Sequence, residues 1–113
     1  MNIIIAIKRE YAKKIFSKEK KFEMRKNAQF NFDDRIFLFE IESKKIIGEI
    51  AVDCVISGKK DSVWDAISAY AGVTKEWYDK YFADSDVYAW RISKTKKFNK
   101  PLLIENISNA LVI

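Results

Sequence analysis

The chain has 113 residues, 49% of them hydrophobic and 33% charged, which predicts a single domain over residues 1–113 and excludes a disordered or collagen-like chain. It has no histidine and one cysteine, Cys54, so histidine-based catalysis, histidine zinc sites and an internal disulfide are excluded. No EF-hand spacing is present, and we expect neither a metal nor a cofactor. The apolar start is too short for a signal peptide, and no stretch approaches the ~20 residues of a membrane span. We therefore expect a cytoplasmic protein without membrane contact.

The formal net charge of +5 is unevenly distributed. Residues 1–26 carry +6, residues 27–90 carry −5 and residues 91–100 carry +5. If the fold brings the two basic segments together, they form one positive face suited to phosphate or nucleic acid. Its phosphate contacts would include Lys94, Lys96 and Lys97. The alternative is that lysine-rich turns only keep the protein soluble.

Strands and one helix are predicted in the first half of the chain. A β-branched run predicts a buried strand over 2–7, and an apolar stripe at helical spacing predicts a helix from Lys8 to Lys18. Alternating residues predict a half-buried strand over 21–25. Two further apolar runs form a hairpin, with Gly48 as a β-bulge, and they cover residues 35–41 and 46–56.

Two helices and more strands are predicted in the second half. Ser62 is predicted to cap a helix that Gly72 ends, and Thr74 to cap the next. The aromatic residues of these helices are predicted to lie in the core: Trp64, Trp77, Tyr78, Tyr81 and Phe82. A strand over 87–92, a basic loop over 93–100, a strand over 102–107 and an edge strand over 110–113 follow. This order predicts an α+β fold in which a mixed sheet curls into a small barrel with helices at its rim.

Lys20, Glu23 and Arg25 form the candidate site that the pattern indicates. If Phe22 and Met24 face the core, Glu23 and Arg25 point outward from the same strand, roughly 7 Å apart. An arginine oriented by a carboxylate suits a phosphate or a base edge, and a lysine adds a compact charge. The alternative is a salt bridge on a solvated face.

These residues also carry a resemblance to a known family. After a first strand and helix, matched by residues 5–8, 11–12 and 15, this chain has Lys20, Glu23 and Arg25 at the spacing Lys-x-x-Glu-x-Arg, with Lys18 two positions earlier. The segment resembles the Gly-x-Lys-x-x-Glu-x-Arg signature of the ASCH domain, a branch of the PUA-like fold, with Lys18 in place of the glycine. The likeness continues through residues 36–39, 46–50, 87–92, 98 and 101–102.

The resemblance implies a small mixed or antiparallel PUA-like β-barrel with a cleft that binds RNA or a nucleoside-like or nucleotide ligand. Lys20, Glu23 and Arg25 are the implied ligand-binding residues, and we expect Lys8, at the end of the first strand, to converge on the same place. Tyr88 and Trp90 share one face of a strand that would border this cleft, where either ring is able to stack on a base. The alternative is that both rings pack in the core.

Two other functions stay open at this point. Some ASCH proteins are hydrolases, either amidohydrolases of N4-acetylcytidine, in which a threonine stands where this chain has Glu23, or ribonucleases. In an enzyme of this kind Lys20 would stabilise negative charge and Glu23 would act as a base. A protein-interaction or regulatory module is the third interpretation, as a monomer or a weak homodimer formed through the apolar residues 110–113.

Overall fold

Six strands form one mixed sheet that curls into a half-barrel. The computed structural model describes residues 1–28 and 30–113. The strand order is β2-β5-β4-β3-β1-β6, in which β1 runs parallel to both β3 and β6 and the other neighbours are antiparallel. The strands are β1 (Asn2–Ile7), β2 (Phe22–Arg25), β3 (Arg35–Glu40), β4 (Lys45–Gly58), β5 (Val87–Leu102) and β6 (Ala110–Val112).

Three short helices of the described residues pack against this sheet. They are α1 (Arg9–Phe16), α2 (Lys60–Ile67) and α3 (Lys75–Phe82), and single 3-10 turns follow α2 and β5 at Ser68–Tyr70 and Ile104–Asn106. In the described ranges, no helix has the length and apolar character needed to cross a membrane. The six-stranded sheet and its helices form an α+β half-barrel, which is the fold class that the sequence predicts.

The core lies on both faces of the sheet. On one face, Ile3, Ile5 and Leu38 pack with Ala12 and Ile15 of α1, and Trp90 of β5 belongs to the same cluster. Around the other face, α2 and α3 cover the start of β5 and the apolar side of β2. Strand β2 is therefore covered on both faces although it lies at the edge of the sheet.

The basic segment 93–100, predicted as a loop, is the continuation of β5. Lys94 pairs with Ala51 and Lys97 with Gly48, so the β4 backbone hydrogen-bonds this segment despite its charge. The predicted strand over 102–107 is also wrong, because the chain turns after Leu102. There the Asn106 side chain accepts a 2.8 Å hydrogen bond from the Leu103 N–H and closes a 3-10 turn.

The predicted helix caps have different outcomes. Thr74 caps α3, since its hydroxyl accepts a 3.1 Å hydrogen bond from the Trp77 N–H. Ser62 does not cap α2, because that helix already begins at Lys60, after Lys59. The β4–β3 and β4–β5 registers both shift next to Gly48, which confirms the bulge. The apolar tail forms β6 at the sheet edge, as predicted.

Candidate functional site

Lys20 is a buried cation held by backbone and sulfur rather than by an anion. Only 2% of the surface of Lys20 is exposed to solvent. The ammonium donates a 2.7 Å hydrogen bond to the Ala71 carbonyl and a 3.5 Å one to Sδ of Met24. It also lies 5.8 Å from the ring centroid of Tyr11. Among the described residues, no carboxylate lies within ion-pair distance of this nitrogen.

A reversal of the chain after α1 delivers Lys20 to this position. Lys18 adopts φ +68°, the left-handed conformation in which glycine has the least steric cost. The Lys20 N–H then donates a 2.9 Å hydrogen bond back to the Lys14 carbonyl. Lys18 therefore adopts the left-handed conformation that would favour the glycine found at this position in the ASCH signature.

Burial is the main cause of the lowered pKa of the Lys20 amine. Removal from water lowers the pKa of the Lys20 amine below its ordinary value, and the nearby Lys14 lowers it further. The negative charge of Glu23 opposes both effects and raises that pKa. Lys20 therefore carries a larger fraction of neutral amine than an exposed lysine at the same pH.

Glu23 is buried, with 8% of its surface exposed, which corrects the prediction that it points outward. It pairs in register with Trp90 across β2 and β5, so the two side chains share the inner face of the half-barrel. Its carboxylate has no hydrogen-bond or ion-pair partner among the described residues. The alternative interpretation, a surface salt bridge, is therefore not formed among the described residues.

Arg25 and the two aromatic residues lie beside Glu23. Arg25 is half-buried, pairs in register with Tyr88, and its guanidinium carbon is 5.8 Å from the Trp90 ring centroid. Trp90 is fully buried, packs 4.5 Å from the Phe30 ring, and donates a 3.3 Å hydrogen bond to the Asn27 carbonyl. With no exposed face, Trp90 is a core residue in this structure, whereas Tyr88 is half-buried at the edge of the same cluster.

Lys8 lies apart from the other candidates. It is exposed at the start of α1, where its carbonyl accepts hydrogen bonds from the Tyr11 and Ala12 N–H groups. Within the described part of the chain, no hydrogen bond joins its side chain to Lys20, Glu23 or Arg25. The fold thus brings Lys20, Glu23 and Arg25 to one region of the half-barrel, whereas Lys8 is exposed at the start of α1.

A cleft of about 530 Å³ opens beside Lys20, between the α1–β2 connection and the middle of β5. Lysines from both basic segments of the chain reach it, as their charge predicts. Glu23 and Arg25 do not belong to its lining. Ser93 and Thr95 were missed by the sequence interpretation because their segment read as a loop. The lining residues are Ile15, Lys18, Lys20, Lys21, Ile92, Ser93, Lys94 and Thr95.

The curled mixed sheet, with helices on both faces, defines an α+β half-barrel domain with a lysine-lined cleft at one side. Comparison with solved structures makes this more particular. The ASCH protein of Zymomonas mobilis is similar to this chain, with a TM-score of 0.80 and 21% identity over 90% of this chain and 73% of that chain. A serine-to-alanine variant of that protein gives a TM-score of 0.81 at the same identity and coverage.

A third structure, of a protein described only as hypothetical, has a TM-score of 0.57 and 17% identity over 87% of this chain and 100% of that chain. No protein-family model and no curated protein matches the sequence. The similarity to the Zymomonas mobilis structures shows that the chain has the ASCH fold, as the resemblance around Lys20 predicts.

Proposed function

We propose that this chain is an ASCH-type domain that binds RNA or a nucleotide through the cleft beside Lys20. The observation that carries the proposal is the convergence of four lysines from two distant segments on one cleft: Lys18, Lys20, Lys21 and Lys94. Such a concentration of positive charge favours an anionic ligand.

The remaining lining residues fit a nucleotide better than a bare anion. Ser93 and Thr95 contribute hydroxyl groups that are able to donate hydrogen bonds to phosphate or sugar oxygens. Ile15 and Ile92 contribute an apolar surface on which a ribose or base is able to pack. Beyond the lining, the carboxylate of Glu23, which has no hydrogen-bond partner among the described residues, is a defined acceptor for a base or sugar donor, a feature that a simple phosphate patch does not need.

The test measures the binding of short single-stranded RNAs and of nucleotides across a salt series by fluorescence anisotropy. Lys94→Ala should weaken binding and reduce the slope of log affinity against log salt by about 0.7 for a single-stranded ligand. Lys100→Ala is the matched control, because Lys100 is an exposed lysine of the same strand outside the cleft lining. No salt-dependent binding, or equal effects of the two variants, would contradict the proposal.

A hydrolase is the second candidate, and the lowered pKa of Lys20 favours it. A buried lysine with an increased share of neutral amine is suited to act as a nucleophile or general base, and Glu23 is the nearby carboxylate able to assist proton transfer. Turnover assays with N4-acetylcytidine and with labelled RNA test this function. Activity has to disappear in Lys20→Met and fall in Glu23→Gln, whereas activity that survives Lys20→Met would come from a contaminant.

A further inference from the structure

Two aromatic side chains of α3 form a parallel stack at the surface. Trp77 and Tyr81 are one helical turn apart, and their rings lie 4.9 Å apart with an interplanar angle of 8°. Tyr81 is 49% exposed, so the prediction that it lies in the core is wrong, although Tyr78 and Phe82 of the same helix are buried. The helix turns Tyr78 and Phe82 inward, and the Trp77–Tyr81 pair lies at the boundary with solvent.

Lysines surround this pair. The ammonium of Lys26, just beyond β2, lies 4.8 Å from the Tyr81 ring centroid. Lys80 lines a shallow depression with Trp77 and Tyr81. A surface with a flat apolar ring and flanking cations complements a ligand that carries a planar ring and a negative charge.

Aromatic side chains connect the stack to Lys20. The Lys20 ammonium lies 5.8 Å from the Tyr11 ring centroid. The ring centroids of Tyr11 and Trp77 are 5.9 Å apart. Trp77 then stacks on Tyr81. An aromatic row therefore leads from the buried cation of the candidate site to the exposed ring of α3.

We propose that the Trp77–Tyr81 surface is a second binding site, for an unpaired nucleobase whose phosphate is held by Lys26 and Lys80. The inference rests on the proposed function, because it takes the ligand of the cleft to be a nucleotide strand that extends over the surface to α3. A base takes the place of Lys26 over the Tyr81 ring, and the exposed Lys26 side chain turns toward the phosphate. Stacking of this kind accepts any base, since every base has a π-face.

The experiment compares two ligands of equal length, a single-stranded RNA oligonucleotide and its abasic counterpart, which keeps the phosphates and lacks the bases. Wild-type protein should bind the RNA at least about fivefold more tightly. Tyr81→Ala should remove most of this difference, whereas Tyr81→Phe, which keeps the ring, should retain it. Phe32→Ala is the matched control, because Phe32 is an aromatic residue that is 61% exposed outside this row.

The outcomes separate the two proposals. RNA binding that depends on Lys94 but is unchanged in Tyr81→Ala, or equal binding of the RNA and abasic ligands, overturns the stacking site and leaves the cleft. Failure of both ligands to bind overturns the proposed function and the stacking site with it. An RNA preference that Tyr81→Ala and Phe32→Ala reduce equally also overturns the stacking site.

Discussion

The carbonyl oxygen of Ala71 accepts a 2.7 Å hydrogen bond from the buried ammonium of Lys20. The next carbonyl, that of Gly72, accepts a 3.2 Å hydrogen bond from Lys14. Two consecutive carbonyls after α2 therefore hold two lysines of the α1–β2 region. The carbonyl satisfies the ammonium and so explains how Lys20 stays buried with no carboxylate partner among the described residues, while desolvation lowers the pKa of its amine.

Gly72→Ala should displace Lys20. A Cβ at Gly72 would lie 2.6 to 2.8 Å from Cβ, Cγ and Cδ of Lys20, and Gly72 adopts φ +71°. The left-handed conformation costs about 1–2 kcal/mol for a residue with a side chain, and overpacking adds about 1–3 kcal/mol. We expect a loss of about 2–5 kcal/mol in the free energy of unfolding, measured by urea denaturation, and weaker ligand binding.

The control for this prediction is Gly58→Ala. Gly58 also has a positive φ, of +145°, but a Cβ there meets nothing within 4 Å. It should therefore destabilise the fold through backbone strain and leave the Lys20 titration and ligand binding unchanged. Unaltered Lys20 titration in Gly72→Ala would contradict the close packing of the two residues.

Substitutions of the two charged neighbours of Lys20 should shift its titration in opposite directions. Glu23 raises the pKa of Lys20 and Lys14 lowers it. Glu23→Gln should therefore lower the pKa of the Lys20 amine, and Lys14→Met should raise it. The measurement is an NMR titration of the lysine Cε resonances, with the Lys20 signal assigned by its absence in Lys20→Met. Shifts of the same sign in both variants would contradict the arrangement.

The lowered pKa of Lys20 also predicts a pH dependence of stability. Between that lowered pKa and the ordinary value of 10.5, the unfolded chain binds more protons at this residue than the folded one. The contribution of Lys20 to the free energy of unfolding therefore becomes more favourable as pH rises through this window. Denaturation of wild type and Lys20→Met across the window should show the wild type gaining stability relative to the variant. A difference that stays constant or falls would refute the burial of a titrating amine.

Thr74→Ala should destabilise the protein by about 1 kcal/mol, because it removes the hydroxyl that accepts the Trp77 N–H at the start of α3. Ser62→Ala is its natural counterpart. Ser62 is exposed within α2 and caps nothing, so its loss should change the free energy of unfolding by less than about 0.5 kcal/mol. Thermal denaturation of both variants tests the pair, and equal losses would show that the α2 boundary is wrong.

Lys18→Gly should stabilise the fold by about 1 kcal/mol, since glycine adopts the φ of +68° without the steric cost of a side chain. Lys21→Gly, at a nearby position without a positive φ, should instead destabilise it. Both variants remove one lysine from the cleft, so both should weaken binding while their stabilities move in opposite directions. A loss of stability in Lys18→Gly would contradict the turn geometry after α1.

Local patterns identified most of the elements of the fold. The β-branched run of β1, the alternation of β2 and the Thr74 cap are visible in the sequence because each depends on neighbouring residues. The basic part of β5 was missed because its strand conformation depends on pairing with β4, as between Lys94 and Ala51, and not on its own propensity.

The sequence by itself determined the identity of Lys20, Glu23 and Arg25 as candidates and the presence of two basic segments. Only the tertiary structure decided that Glu23 faces inward and that Lys20 is buried against Ala71. The reason is that burial on an edge strand depends on what packs over it, here α2 and α3 against Phe22 and Met24. Segments distant in the chain supply those contacts, and alternation within one strand carries no information about them.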